Sequence, residues 1–549
     1  MAFELEHDWQ GNLATPRARI GESAKTRLLI LLCAVWVCLG LISHAPWKPD
    51  ESQAINIVKS MLHGHALIAP VVAGDSTIEN PPLYYLSAAG MAKLLQPWLP
   101  MHDGARLVSG VWMALTLLLV GMLGRELWGR GAGRQTTFIF LGSLGLVVSA
   151  HLLMPEVAAL TGSAMGLYAL ALAKRRPYRA SALLGSGIGI CFLTTGLLYA
   201  IPILFTALLL PILFSTWRTR SYAIVLGLSM LVAAPWLAIW PLLLWHTSPD
   251  LFAAWQHSNS QLFTQSSHVY FLNTLAWFSW PALPIALWGL WRYRTVLLLK
   301  PRFQLLITFF AISFIVIGFG ANTREIYALP LLLPLAVLAG GSVETLKRGA
   351  ASALNWFGLI LFGMIGFLIW LGWFAMMTGW PEKLAERMQF LSSIHHPVFN
   401  WIGFAAAFLI TLIWLAVVIN AKRSIRAAVT DWAVGITMAW SLLMALWLPW
   451  IDTAKSYGPV MSSMQKALPA NYHCMVERNL GSSQYALLDY YLGIRPHAAE
   501  SHAGRRCDLY LIQDERGRAK FQPGPEWNMI WHGKRATDRR ESFRLYQRN

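Results

Sequence analysis

The chain has 549 residues, of which 56% are hydrophobic and only 13% charged. Soluble domains carry about 25% charged residues, so the deficit excludes an ordinary soluble globular protein. The formal net charge of +17 and the 27 tryptophans fit a membrane protein, whose Lys and Arg hold loops on the cytoplasmic side and whose Trp rings favour the lipid–water boundary. Nucleic acid, the other partner a basic chain suggests, is not expected.

The first hydrophobic run, Leu28 to about Ala45, follows Arg17, Arg19, Lys25 and Arg27. It is long, lacks an A-x-A cleavage site and leads into further spans, so it reads as an uncleaved first helix. Hydrophobic runs centre near 37, 114, 142, 165, 188, 207, 233, 280, 311, 335, 365, 410 and 440. Each is roughly 15–24 residues, close to what crosses a bilayer. They predict an α-helical polytopic membrane region over 1–451 with about 13 transmembrane helices. Cys33, Cys38 and Cys191 fall in these runs and read as small core residues.

The polar breaks alternate in charge. One set carries Arg125, Arg130 and Arg134; Lys174, Arg175, Arg176 and Arg179; Arg218 and Arg220; Arg292, Arg294, Lys300 and Arg302; Lys347 and Arg348; and Lys422, Arg423 and Arg426. That set and the N-terminus are expected on the cytoplasmic side. The other set holds the long loops 46–103, 246–270 and 378–399, expected outside, and an odd number of spans puts the C-terminal tail outside too. The tail, 452–549, has ordinary soluble composition, and its Leu509-Tyr510-Leu511-Ile512 reads as a strand. It predicts a small C-terminal α/β extracytoplasmic domain. Cys474 and Cys507 there are either a disulfide or two free thiols; spacing does not decide between them.

Candidate chemistry lies in acids of the outer breaks. Asp50 and Glu51 open a stretch in which Ala54, Ile55, Ile57, Val58, Met61 and Leu62 recur at helical spacing, expected to lie in the membrane interface. On spacing alone, an ordinary helix N-terminal role is the first reading of both acids. Glu79 precedes Pro81 and Pro82, which fix a rigid turn, and Glu156 follows Pro155 at the outer end of the third span. A carboxylate so close to hydrocarbon needs a partner or a task. The loop 246–270 offers His246, His257 and His268, each read first as a solvated side chain. Arg324, in a short outer break, either snorkels to the interface or clamps a phosphate.

Together these residues resemble the GT-C glycosyltransferases of the protein mannosyltransferase class, most of all the lipid A aminoarabinose transferase family. The resemblance is carried by Asp50-Glu51, by Glu79 with Pro81-Pro82-Leu83-Tyr84-Tyr85, by Asp103-Gly104-Ala105-Arg106-Leu107, by Leu123 to Arg130, and by Tyr327-Ala328-Leu329-Pro330. It implies an inverting transferase that takes a sugar from a polyprenyl-phosphate carrier at the outer face of a bacterial inner membrane, among membrane lipids, with no nucleotide cofactor. The implied acceptor is lipid A or another envelope molecule; a protein hydroxyl, another glycan, or a non-enzymatic flippase of the lipid-linked sugar are the rival readings. Asp50, Glu51 and Glu156 are the catalytic residues so implied. Arg324, Tyr84, Tyr85 and His268 would hold the donor phosphate or substrate, and Glu79 with His257 would hold a divalent metal. Three expected cations are missing: Asn80, Thr195 and the stretch Ser52-Gln53-Ala54 stand where the family has Lys, Lys and Arg. The resemblance is not extended to aminoarabinose as the sugar.

Overall fold

A computed structural model describes residues 22–64, 67–77, 79–264, 266–392, 394, 398–420, 424–501, 504–515, 521–535, 538 and 540–549. Arg17, Arg19, Lys422 and Arg423 lie outside the described residues.

Each hydrophobic run contains helix, but the count of 13 spans does not carry over as 13 long helices. Among the described residues, eight helices are long and apolar enough to cross a membrane: Met101–Trp128, Pro155–Leu172, Arg220–Thr247, Pro301–Gly320, Glu325–Thr345, Arg348–Thr378, Trp401–Asn420 and Ile425–Lys455. The runs near 37 and 207 form 17-residue helices, Glu22–Cys38 and Leu197–Leu213. Between Pro177–Thr195 and Leu197–Leu213 the chain turns on Gly196 at φ 70°, a backbone state that side chains with a Cβ disfavour. Two runs are broken. The one near 142 splits at Gly142-Ser143 into Ala132–Leu141 and Leu144–Ser149; the one near 280 splits at Ser279-Trp280-Pro281 into His268–Phe278 and Ala282–Arg292. A proline with no N–H and a fixed φ ends the earlier helix there. Hydrophobicity averaged over a window merges such pieces because the break residues are few and uncharged.

Helices Pro155–Leu172 and Leu329–Ser342 are buried almost throughout and form the centre of the bundle, whereas Trp401–Asn420 is exposed along nearly its whole length, as a lipid-facing helix is. Glu156 therefore starts a central helix. Cys191 is buried as expected, but Cys38 is exposed rather than a core residue.

The first outer break folds as helix Asp50–Leu62, a two-stranded hairpin (Val71–Val72 with Asp75–Ser76) and helix Leu83–Leu95. The apolar face of Asp50–Leu62 does not rest on lipid as expected. Ala54, Ile55, Ile57, Val58 and Met61 are all buried against Tyr84, Ala88, Ala92 and Val108. An amphipathic pattern shows that a face is covered without showing by what.

The tail forms a five-stranded sheet in the order His497–Ala498, Met475–Arg478, Leu509–Glu515, Glu541–Arg548, Trp527–Gly533. The first three strands run parallel and the last two pair antiparallel. Helix Ser482–Leu492 lies between the first two in sequence. The expected strand at 509–512 is present, and Cys474 and Cys507 form a disulfide.

Candidate active site

The base of the site is an ionic knot. Arg106, fully buried on helix Met101–Trp128, donates from Nε to Glu51 Oε1 at 2.7 Å, from Nη2 to Glu51 Oε2 at 3.2 Å and from Nη1 to Asp103 Oδ1 at 2.9 Å. Glu51 also accepts the amides of Leu153 (2.9 Å) and Trp47 (3.0 Å), so each of its oxygens has two donors. Asp103 accepts the amide of Ser43 at 2.8 Å. A carboxylate takes about four hydrogen bonds, so Glu51 has none left for a ligand. Burial alone would raise its pKa, but the Arg106 charge and hydrogen bonds, with the Trp47 amide, hold it below the ordinary carboxylate range. Glu51 thereby ties the first loop to the turn that leads into Pro155-Glu156. Asp50 is the first residue of helix Asp50–Leu62, adjacent to this knot in sequence, and its side chain lies outside the described residues.

Glu156 sits in the first turn of its helix behind Pro155, which suits that position because its missing N–H is not needed there. It is 4% exposed, and its Oε2 has no hydrogen-bond partner among the described residues. A buried carboxylate oxygen with nothing to accept from is costly. Around it, within electrostatic reach, are Tyr85, Tyr199, Tyr327 and Glu79. Tyr85 is buried and shares a cleft with Asn80, which stands where a family cation was expected. The Arg324 guanidinium lies 5.9 Å from the Tyr327 ring centre. Tyr199 donates to the carbonyl of Ile326 at 3.4 Å, anchoring the same outer turn.

Glu79, Asn80 and Tyr85 also line a cleft of about 610 Å³ between the first loop and the tail. Asp75 and Glu477 add two carboxylates, and no Lys or Arg is among its described lining residues. The tail is fastened over this cleft. Trp47 Nε1 donates to Asp452 at 2.9 Å, and Lys48 pairs with Glu541 at 3.1 Å. Buried Asp489 takes Asn56 at 3.0 Å and Lys59 at 3.3 Å, and Gln53 donates to Ser482 at 2.9 Å.

The structure thus places Glu79 and Tyr85 within electrostatic reach of Glu156, and Arg324 beside Tyr327, which is within the same reach. Tyr84 is turned into the core, where its hydroxyl meets Ser109 Oγ at 2.7 Å. His257 and His268 are exposed on separate helices, the first beside Gln261 (3.0 Å) and the second beside the Phe319 ring (5.7 Å). Among the described residues no three His, Cys, Asp or Glu side chains gather as metal ligands. The described donor set therefore does not fit the expected divalent metal, and no step below runs through one. Sequence reasoning assigned no role to Arg106, Tyr199 or Asp489. Arg106 had a local signal, an acid three residues earlier on an apolar helix face; Asp489, in an ordinary soluble segment, had none.

The chain is 28% identical over 366 residues to the undecaprenyl phosphate-alpha-4-amino-4-deoxy-L-arabinose arabinosyl transferase of Pseudomonas aeruginosa strain LESB58, covering 61% of this chain and 63% of that one. These transferases are its relatives. The enzyme of the same name from Serratia proteamaculans is 25% identical over 487 residues, 84% of this chain and 81% of its own. The chain thus spans less than two thirds of the first relative's length but most of the second's. No family model matches it. The fold is similar to that of ArnT from Cupriavidus metallidurans bound to undecaprenyl phosphate, with a TM-score of 0.65 at 15% identity over 96% of this chain and 98% of that one. It is also similar to the archaeal oligosaccharyltransferase AglB from Archaeoglobus fulgidus, with a TM-score of 0.50 at 10% identity, covering 89% and 69%. The resemblance drawn from the sequence, and the polytopic fold with a small C-terminal sheet domain, are borne out.

Proposed function

We propose that this chain is a membrane glycosyltransferase that moves a sugar from a polyprenyl-phosphate carrier to an envelope acceptor, lipid A first among them. The proposed site lies at the outer face of a bacterial inner membrane, with the N-terminus inside and the 452–549 domain outside. The observation that carries the reading is the buried Oε2 of Glu156, without a hydrogen-bond partner among the described residues, at the start of a central helix and within electrostatic reach of Glu79, Tyr85 and Tyr327, beside which Arg324 lies. The relatives' names supply the carrier.

In the proposed reaction an acceptor oxygen attacks the anomeric carbon and the bond from that carbon to the phosphate oxygen breaks. Polyprenyl phosphate leaves with the electron pair. Arg324, a fork-shaped cation, offsets the negative charge growing on the leaving phosphate. A hydroxyl acceptor gives its proton to a carboxylate, Asp50 or Glu156; a phosphate acceptor is already ionised, and Asp50 then positions the donor. Glu51 acts through its hold on the loop and Tyr84 through packing. His257 and His268 lie outside the cluster.

A second reading, a neutral hydroxyl acceptor on a glycan or protein, is favoured by the cleft, which presents Asp75, Glu79 and Glu477 and no cation among its described lining. Mass spectrometry of lipid A from cells with and without the protein separates the two. A sugar-sized mass addition that depends on the protein supports lipid A. An unchanged lipid A profile under proven expression moves the acceptor to a hydroxyl.

A further inference from the structure

A groove of about 950 Å³ runs along the outside of the bundle between helices Glu22–Cys38 and Met101–Trp128, and residues of helix Ala132–Leu141 close one end. Its walls are apolar, with Leu29, Val37, Leu41, Leu118 and exposed Cys38 among them. Leu107 and Arg125 both line it. At a helical rise of about 1.5 Å per residue they are about 27 Å apart, close to the bilayer hydrocarbon thickness of about 30 Å. Charge is confined to one end, where Arg125, Arg130 and Arg134 converge and no carboxylate is among the described lining residues. Glu126, next to Arg125, is turned to Arg175, whose Nη1 lies 2.7 Å from its Oε1.

An apolar trough that ends in three guanidinium groups matches a molecule with a long hydrocarbon part and a phosphate at one end. Basic pockets between transmembrane helices bind anionic head groups in this way. We propose that the groove is a binding site for an anionic phospholipid, its phosphate held by Arg125, Arg130 and Arg134 and an acyl chain laid along the wall of Met101–Trp128. The site is on the opposite side of the membrane from the carboxylate cluster. Its assignment to the inner leaflet rests on the proposed topology, but binding itself does not depend on that or on the transferase reading.

The test is native mass spectrometry of the full-length protein in detergent, given phosphatidylglycerol or phosphatidylcholine with the same acyl chains. Phosphatidylglycerol adducts are expected to outlast phosphatidylcholine adducts. R125Q/R130Q/R134Q is expected to lower phosphatidylglycerol retention by about tenfold or more, since each basic residue near an anionic surface is worth about 1 kcal/mol. If that variant does not fold, R130Q and L118W take its place: R130Q removes one exposed charge and L118W fills the wall with the charges intact, and each is expected to reduce retention. Equal retention of the two lipids, or wild-type retention of phosphatidylglycerol by the folded variants, overturns the proposal.

Discussion

Arg106 Nε lies 2.7 Å from Glu51 Oε1, and both side chains are sealed from solvent. This pair joins residues 55 positions apart in sequence. It binds the loop 46–103 to helix Met101–Trp128 and, through the Leu153 amide on the same oxygen, to the turn before Glu156. The candidate site therefore rests on one buried guanidinium.

Removing that guanidinium leaves two buried carboxylates unpaired. Breaking a buried ion pair from one side costs about 3–5 kcal/mol, so Arg106→Ala is expected to lower the unfolding midpoint in detergent sharply. A double-mutant cycle with Glu51→Gln is expected to show coupling of the two sites. Additive effects would mean that the pair holds nothing together.

The same pair sets a pH dependence. The Glu51 carboxyl is held below its ordinary value, so its contribution is fully present above the unfolded value of about 4.3 and is lost as pH falls through the folded one. The stability difference between wild type and Glu51→Gln, measured by thermal unfolding, is expected to be constant from neutral pH down to about 5 and to shrink below about 4. A difference that grows on acidification contradicts the assignment.

Glu156→Gln separates chemistry from folding. Oε2 has no hydrogen-bond partner among the described residues to lose, so the unfolding midpoint is expected to stay near wild type. Loss of a positioned acid or base costs about 10²–10⁴-fold in rate, and sugar transfer in membranes is expected to fall by that order. A folded variant with near wild-type transfer removes Glu156 from the site.

The tail is fastened to the first loop by buried Asp489 and closed internally by the Cys474–Cys507 bridge. Asp489→Ala is expected to expose the junction near 452–458 to limited proteolysis while the membrane helices stay protected. Alkylation of the unreduced, denatured protein is expected to label three thiols, Cys33, Cys38 and Cys191. Five labelled thiols would show that the bridge is absent.

The membrane class and the helical runs were legible because a long apolar segment is recorded directly in residue type. The splits near Gly142 and Pro281 were not, since the few break residues carry no charge to interrupt the run. Glu79, Tyr85, Glu156 and Arg324 could be named from local placement and resemblance. Their convergence could not, because they come from three outer breaks and no periodicity links those. Glu51 and Tyr84 look from the sequence like site residues, and only the geometry shows their polar groups already satisfied from within. The grip of Asp489 on Asn56 and Lys59 joins residues about 430 positions apart, beyond any local pattern.

The central claim is that carboxylates at the outer face drive sugar transfer from a lipid carrier. The most direct measurement follows a radiolabelled polyprenyl-phosphate sugar in membranes holding wild-type protein or the Asp50→Asn variant. The account predicts free polyprenyl phosphate and labelled acceptor from wild type, and neither at a comparable rate from folded Asp50→Asn. Intact labelled carrier appearing on the opposite leaflet with no release, or equal transfer by both proteins, would contradict it.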